Sequence, residues 1–226
     1  IAQESTVRAS EDEALAQHPD FVIVPGDLTK DGEVVNHEGV RQQLRRLLDA
    51  GIPTYVVPGN HDYNNTEAFR FEGDQQIDVP AVSKAEFRTM YADFGHDGDA
   101  IMADTDSLSY VAEPVPGLWL LALDTNTSDD NVEGQEPLTG GALSAAQYDW
   151  LLEVLEEAAS QGKSVIAMGH HGVIEHWNGQ KKLHPEYLID DFGRLGEMLA
   201  SWGVRAWFSG HYHAQDIVRA DYGDNG

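Results

Sequence analysis

The sequence contains no cysteine. That excludes disulfides, thiolate nucleophiles and cysteine-ligated zinc or iron–sulfur sites. It leaves the compartment open, because cysteine-free chains occur on both sides of membranes. Basic residues are scarce: 14 Lys and Arg, only five of them Lys, stand against 39 Asp and Glu, for a formal charge of −25. Such a surface repels nucleic acid and anionic lipid, which need clustered Lys and Arg, so no nucleic-acid partner is expected. The acidic residues are spread along the chain with no like-charge block, as on a solvated, salt-adapted surface, and a periplasmic or extracellular location is compatible with that. No apolar run approaches the roughly 18–20 residues needed to cross a bilayer, so no membrane span is expected. No repeat or inter-domain linker interrupts the 226 residues, which are expected to form a single domain, 1–226.

Hydrophobic residues make up 41% of the chain, enough for a substantial core. Short continuous apolar runs at 21–24, 54–57, 118–123, 164–168 and 204–209 predict strands buried on both faces. Helical spacing predicts helices over 5–18, 36–50, 83–94, 144–161 and 188–202, with Ser83 and Ser144 as caps. The last of these is expected to turn Leu188, Phe192, Leu195, Leu199 and Trp202 to the core. Residues 108–111 and 118–123, joined by a Pro- and Gly-rich turn, predict an antiparallel hairpin. Stretches 63–82, 124–141 and 172–187 are expected to be irregular loops that shape a pocket, with Tyr63 and Trp177 as candidate walls. His37, His176 and His184 read as surface histidines.

Two strand–helix–strand units emerge, one from Asp27 to Asn60 and one from His170 to His211. Their strand exits read Gly26-Asp27, Gly59-Asn60-His61-Asp62, Gly169-His170-His171 and Gly210-His211-Tyr212-His213. In parallel units these exits share one rim, where ligand sites of open α/β sheets form. Taken singly, each residue is an ordinary turn or cap residue. Taken together they are a metal-ligand set: Asp27 as a hard, bridging carboxylate, imidazoles suited to Zn, Fe, Mn or Ni, and a neutral amide oxygen. Two metals about 3.5–4 Å apart can activate water and clamp the oxygens of phosphoryl transfer.

These four motifs, in this order, resemble the calcineurin-like metallophosphoesterases over roughly residues 20–216. The resemblance implies a four-layer α/β/β/α sandwich of two mixed sheets flanked by helices. It implies hydrolysis of a small-molecule phosphate mono- or diester by metal-activated water. Asp27 would bridge two divalent or trivalent ions; Asn60, His170 and His211 would hold the second and His213 the first. His61 would protonate the leaving group and Asp62 would orient His61 through a hydrogen bond. His171 would face substrate. The family's opening D-x-H motif, a further source of ligands, is not in this sequence, nor are the strands that follow Gly-His-x-His. Both are expected to lie outside it; a site holding one ion, on a catalytically degenerate metal-binding interaction module, is the alternative.

Overall fold

The computed structural model describes residues 2–98 and 100–223. Helix α1 (Ala2–Gln17) precedes a parallel pair, β1 (Val22–Pro25) and β2 (Thr54–Val57), linked by α2 (Val34–Asp49). A five-stranded sheet follows in spatial order β5 (Met102–Ala103), β6 (Tyr110–Val115), β7 (Leu118–Leu123), β8 (Ser164–Gly169) and β9 (Trp207–Phe208). Strands β5 to β7 are antiparallel; β7, β8 and β9 run parallel. Helix α4 (Ala145–Ser160) crosses from β7 to β8, and α6 (Phe192–Ser201) crosses from β8 to β9. Both expected strand–helix–strand units are present, and β7–α4–β8 is a third.

The apolar runs are continuous because each strand faces two cores. In β7, Trp119, Leu121 and Leu123 pack toward α4 and α6, while Leu120 and Ala122 face the other sheet. In β2, Val56 packs toward α2 and Tyr55 and Val57 face the five-stranded sheet. The strand period of two thus sorts one run into two layers. Tyr55, Val57, Tyr110, Leu120 and Met168 form the seam between the sheets, giving the four layers α/β/β/α. Fully burying one such Val or Leu contributes about 1.5–3 kcal/mol, so these alternating strands hold the sheets together.

Helix starts follow their caps. Ser83 and Glu86 form a capping box before α3 (Lys84–Met90), and Ser144 and Gln147 form another before α4. Two expectations are corrected. Residues 63–82 are not wholly irregular: β3 (Phe69–Glu72) and β4 (Gln75–Asp78) pair as a hairpin around Gly73, whose φ is 63°. Helix α6 begins only at Phe192, after a short helix α5 (Gln180–Leu183) and a turn at Pro185–Tyr187. Leu188 is buried from extended backbone, and Trp202, at the end of α6, is exposed.

Candidate metal centre

Pro25 lies opposite Val57 in one sheet, and Met168 opposite Phe208 in the other. The exits of β1, β2, β8 and β9 therefore reach one rim, across the seam between the sheets. They approach so closely that side chains are forbidden at two points. A Cβ on Gly59 would lie 2.2 Å from Asp27 Oδ1 and 2.3 Å from the Asp27 nitrogen. A Cβ on Gly26, where φ is +91°, would lie 2.6 Å from both Gly59 N and His170 Nδ1. Asp27, His211 and His213 themselves adopt left-handed φ of 55°, 62° and 52°. Backbone held in that region costs about 1–3 kcal/mol per residue and persists where the surroundings enforce it.

The rim brings four of the expected ligands together. His170 Nε2 lies 3.1 Å from Asn60 Oδ1, 3.1 Å from His211 Nδ1 and 3.2 Å from Asp27 Oδ1. The ligand atoms of Asp27, His170 and His211 all lie within 4.8 Å of one another. The outer nitrogens fix the tautomers: His170 Nδ1–H donates to Pro25 O at 2.8 Å, and His211 Nε2–H donates to Glu186 O at 3.1 Å. In neutral rings the inner nitrogens then carry lone pairs, and so do Asn60 Oδ1 and the carboxylate. Asp27 Oδ1 is buried and accepts no hydrogen bond from any described residue. Four electron-pair donors facing one another call for a cation, and the set of one carboxylate, one amide and two imidazoles fits a transition-metal ion.

The titration behaviour has the same cause. Burial would lift Asp27, but the adjacent His170, then His61 and His211, outweigh it and hold the carboxyl below its usual range. Burial would depress His170, but the Asp27 carboxylate prevails and raises it. His211, half-buried and beside His170, is pushed down to about 4 by that partial burial and then by His170, and is neutral at neutral pH.

The other expected site residues are placed differently. His213 lines the cavity beside the cluster but does not join its ligand atoms. His61 also lines the cavity; its Nδ1 lies 3.2 Å from Asp31 Oδ1, not from Asp62. Asp62 is fully buried and accepts from Leu28 N (3.1 Å), Thr29 N (2.8 Å), Thr29 Oγ1 (2.9 Å) and Gly59 N (2.7 Å). It staples the β1 exit to the β2 exit, and the carboxylate that meets His61 is that of Asp31. His171 is fully buried, with Nδ1 2.7 Å from Thr125 Oγ1 and Nε2 2.9 Å from Thr139 O. With both nitrogens engaged inside the protein, its expected substrate contact is not what the structure provides; the ring ties the 124–141 loop to β8. Asp31, missed in the sequence, is separated from His61 by 30 residues and meets it only through loop geometry.

A cavity of about 470 Å³ opens beside the cluster, lined by Asp27, Thr29, Lys30, His61, His211, His213 and small residues. Tyr63 is no wall: it is buried, donating its hydroxyl to Asp124 at 3.2 Å. His37 is likewise buried, bonded through Nε2 to the Asp62 carbonyl at 2.7 Å. Trp177 donates its indole N–H to the Tyr212 hydroxyl at 2.8 Å, and His176 stacks on Tyr212.

Comparison with known proteins gives a consistent result. A family model described as calcineurin-like phosphoesterase matches residues 3–215. The chain is 28% identical over 191 residues to the probable glycerophosphodiester phosphodiesterase GpdQ of Arcobacter nitrofigilis, covering 82% of this chain and 56% of that protein. It is 27% identical over 89 residues to the uncharacterized metallophosphoesterase YhaO of Bacillus subtilis, covering 38% of this chain and 22% of that one. The matched region thus spans little more than half of one curated relative and about a fifth of the other. Among solved structures, the fold is similar to that of a dimetal phosphatase from Danio rerio, with a TM-score of 0.62 and 18% identity over 93% of this chain and 72% of that one.

Proposed function

Because the chain belongs to the calcineurin-like phosphoesterase family, we propose that it hydrolyses a phosphate mono- or diester of a small molecule, using transition-metal ions. The observation that carries this reading is the convergence of Asn60, His170 and His211 on the buried Oδ1 of Asp27. The similarity to the probable glycerophosphodiester phosphodiesterase of Arcobacter supports the diester version.

Asp27, Asn60, His170 and His211 would hold one ion, and Asp27 with His213 would border a second. When bound, such ions supply Lewis acidity and a water acidic enough to attack at neutral pH. Three of the four assembled ligands are neutral, so a divalent ion keeps net positive charge toward an anionic substrate. The chain's own groups do the rest. Nδ1–H of His61 donates to Asp31, so that in the imidazolium form it is Nε2–H that gives its proton to the leaving oxygen, returning the ring to the neutral state. Asp31 is almost wholly buried, so it can fix the ring's tautomer and direction while the half-exposed imidazole meets substrate.

The test is hydrolysis of p-nitrophenyl phosphate and bis(p-nitrophenyl) phosphate with added Mn, Fe, Zn or Ni. His61→Ala is expected to lower turnover about 10²–10⁴-fold while retaining wild-type metal content. Wild-type turnover in that variant would refute the acid role. Tight metal binding with no hydrolysis of either ester would instead favour the non-catalytic module.

A further inference from the structure

Among the described cavity-lining residues, Lys30 is the one Lys or Arg. Its ammonium sits 4.0 Å above the Phe69 ring of the β3–β4 hairpin and pairs with Asp31 Oδ2. The other oxygen of that carboxylate holds His61 Nδ1. Lys30 and His61 therefore stand on the two sides of one carboxylate, with Lys30 on the side toward the hairpin. Just over half of the Lys30 side chain is exposed, so this is not a sealed structural ion pair. An ammonium has three donors. One goes to Asp31 and the Phe69 face takes another side, which leaves donor capacity toward the cavity.

Resting on the phosphoesterase reading above, we propose that Lys30, steadied by Phe69 and Asp31, is a specificity-determining residue that binds an anionic substituent on the leaving group. The substrate class is then a phosphoester whose departing alcohol carries a carboxylate or a second phosphate a few bonds from the ester oxygen. Three considerations support it. His61 marks where the leaving oxygen departs, and Lys30 lies next along the same wall. The cavity, at about 470 Å³, falls within the size range of sites for whole organic ligands, so it has room for such a substituent. On a chain of net charge −25, an anionic substituent would otherwise meet only repulsion away from the metals.

The test uses the full chain loaded with Mn and two matched diesters, methyl p-carboxyphenyl phosphate and methyl p-carbamoylphenyl phosphate. They differ in charge and scarcely in shape. The readout is the ratio of their kcat/KM values, in which any general disturbance of His61 cancels. The wild type is expected to favour the carboxylate. Lys30→Met should lower that preference about fivefold, mainly through KM, as for a partly exposed charge pair; Lys30→Arg should retain it. A ratio unchanged in Lys30→Met overturns the proposal while leaving the phosphoesterase reading intact. Failure of the wild type to hydrolyse either diester overturns the proposal, and failure on p-nitrophenyl phosphate and bis(p-nitrophenyl) phosphate as well overturns the phosphoesterase reading with it.

Discussion

Asp62→Asn separates stapling from catalysis. The Asp62 carboxylate accepts four hydrogen bonds, two at each oxygen: Thr29 N and Thr29 Oγ1 at Oδ1, Leu28 N and Gly59 N at Oδ2. An amide keeps one oxygen, so either orientation turns an NH₂ group toward two of these donors. If the oxygen stays with Thr29, the Leu28 and Gly59 N–H groups are left unpaired in a fully buried place. Each such group costs about 1–3 kcal/mol, so the variant should lose about 2–6 kcal/mol. That is a large part of the 5–15 kcal/mol typical of a domain, so partial unfolding at room temperature is within range of the expected effect. Urea unfolding of the metal-free protein, read as a change in midpoint at constant slope, measures it. Metal affinity should fall as well, because Leu28 and Gly59 flank the ligands Asp27 and Asn60. A variant within about 0.5 kcal/mol of wild type, the range of ordinary surface substitutions, would refute the stapling role.

The contrasting substitution is Asp31→Asn, which keeps an acceptor for His61 but removes its negative charge. Turnover should fall with little change in the urea midpoint; wild-type turnover would count against the pair. Gly59→Ala forces a methyl group to within 2.2 Å of Asp27 Oδ1, and calorimetry should show metal binding lost or greatly weakened. His96 is buried against Phe87 and Tyr110, and burial, then Arg88, holds its pKa down to about 3 from 6.5. The unfolded chain binds that proton first, so stability is full above about pH 6.5 and is lost toward pH 3 at up to about 1.4 kcal/mol per unit; His96→Phe should flatten this slope in acid unfolding. With a formal charge of −25, the thermal midpoint should rise with added NaCl, and a steady fall from low salt would contradict the repulsion argument.

The layered fold was legible because burial on two faces leaves a distinct trace: continuous apolar runs such as Leu118–Leu123, ended by glycine or a turn. The convergence of the four proposed ligands was legible for a related reason. Parallel strands deliver their exits to one rim, and no turn needs histidine at both later exits. The β3–β4 hairpin carried a signal as well, alternating Phe69 and Phe71 before a Gly73-Asp74 turn, but its faces are largely exposed and its apolar content is small. Contacts between loops far apart in sequence left no comparable trace. Asp31 rather than Asp62 meets His61 because four backbone and hydroxyl donors already surround Asp62. His170 and His171 are adjacent and chemically identical in the sequence. The end of β8 at Gly169 sends one ring to Asp27 and Asn60 and the other to Thr125 and Thr139.

The central claim is that the cluster around His170 Nε2 binds the metal on which hydrolysis depends. Calorimetric titration of metal-free protein with Mn or Zn, alongside bis(p-nitrophenyl) phosphate turnover in the same samples, tests it directly. Turnover should rise in step with occupancy in the wild type, and His170→Ala should lose both binding and turnover while staying folded by circular dichroism. Undiminished metal binding in His170→Ala, or wild-type turnover in the rigorously metal-free protein, would contradict it.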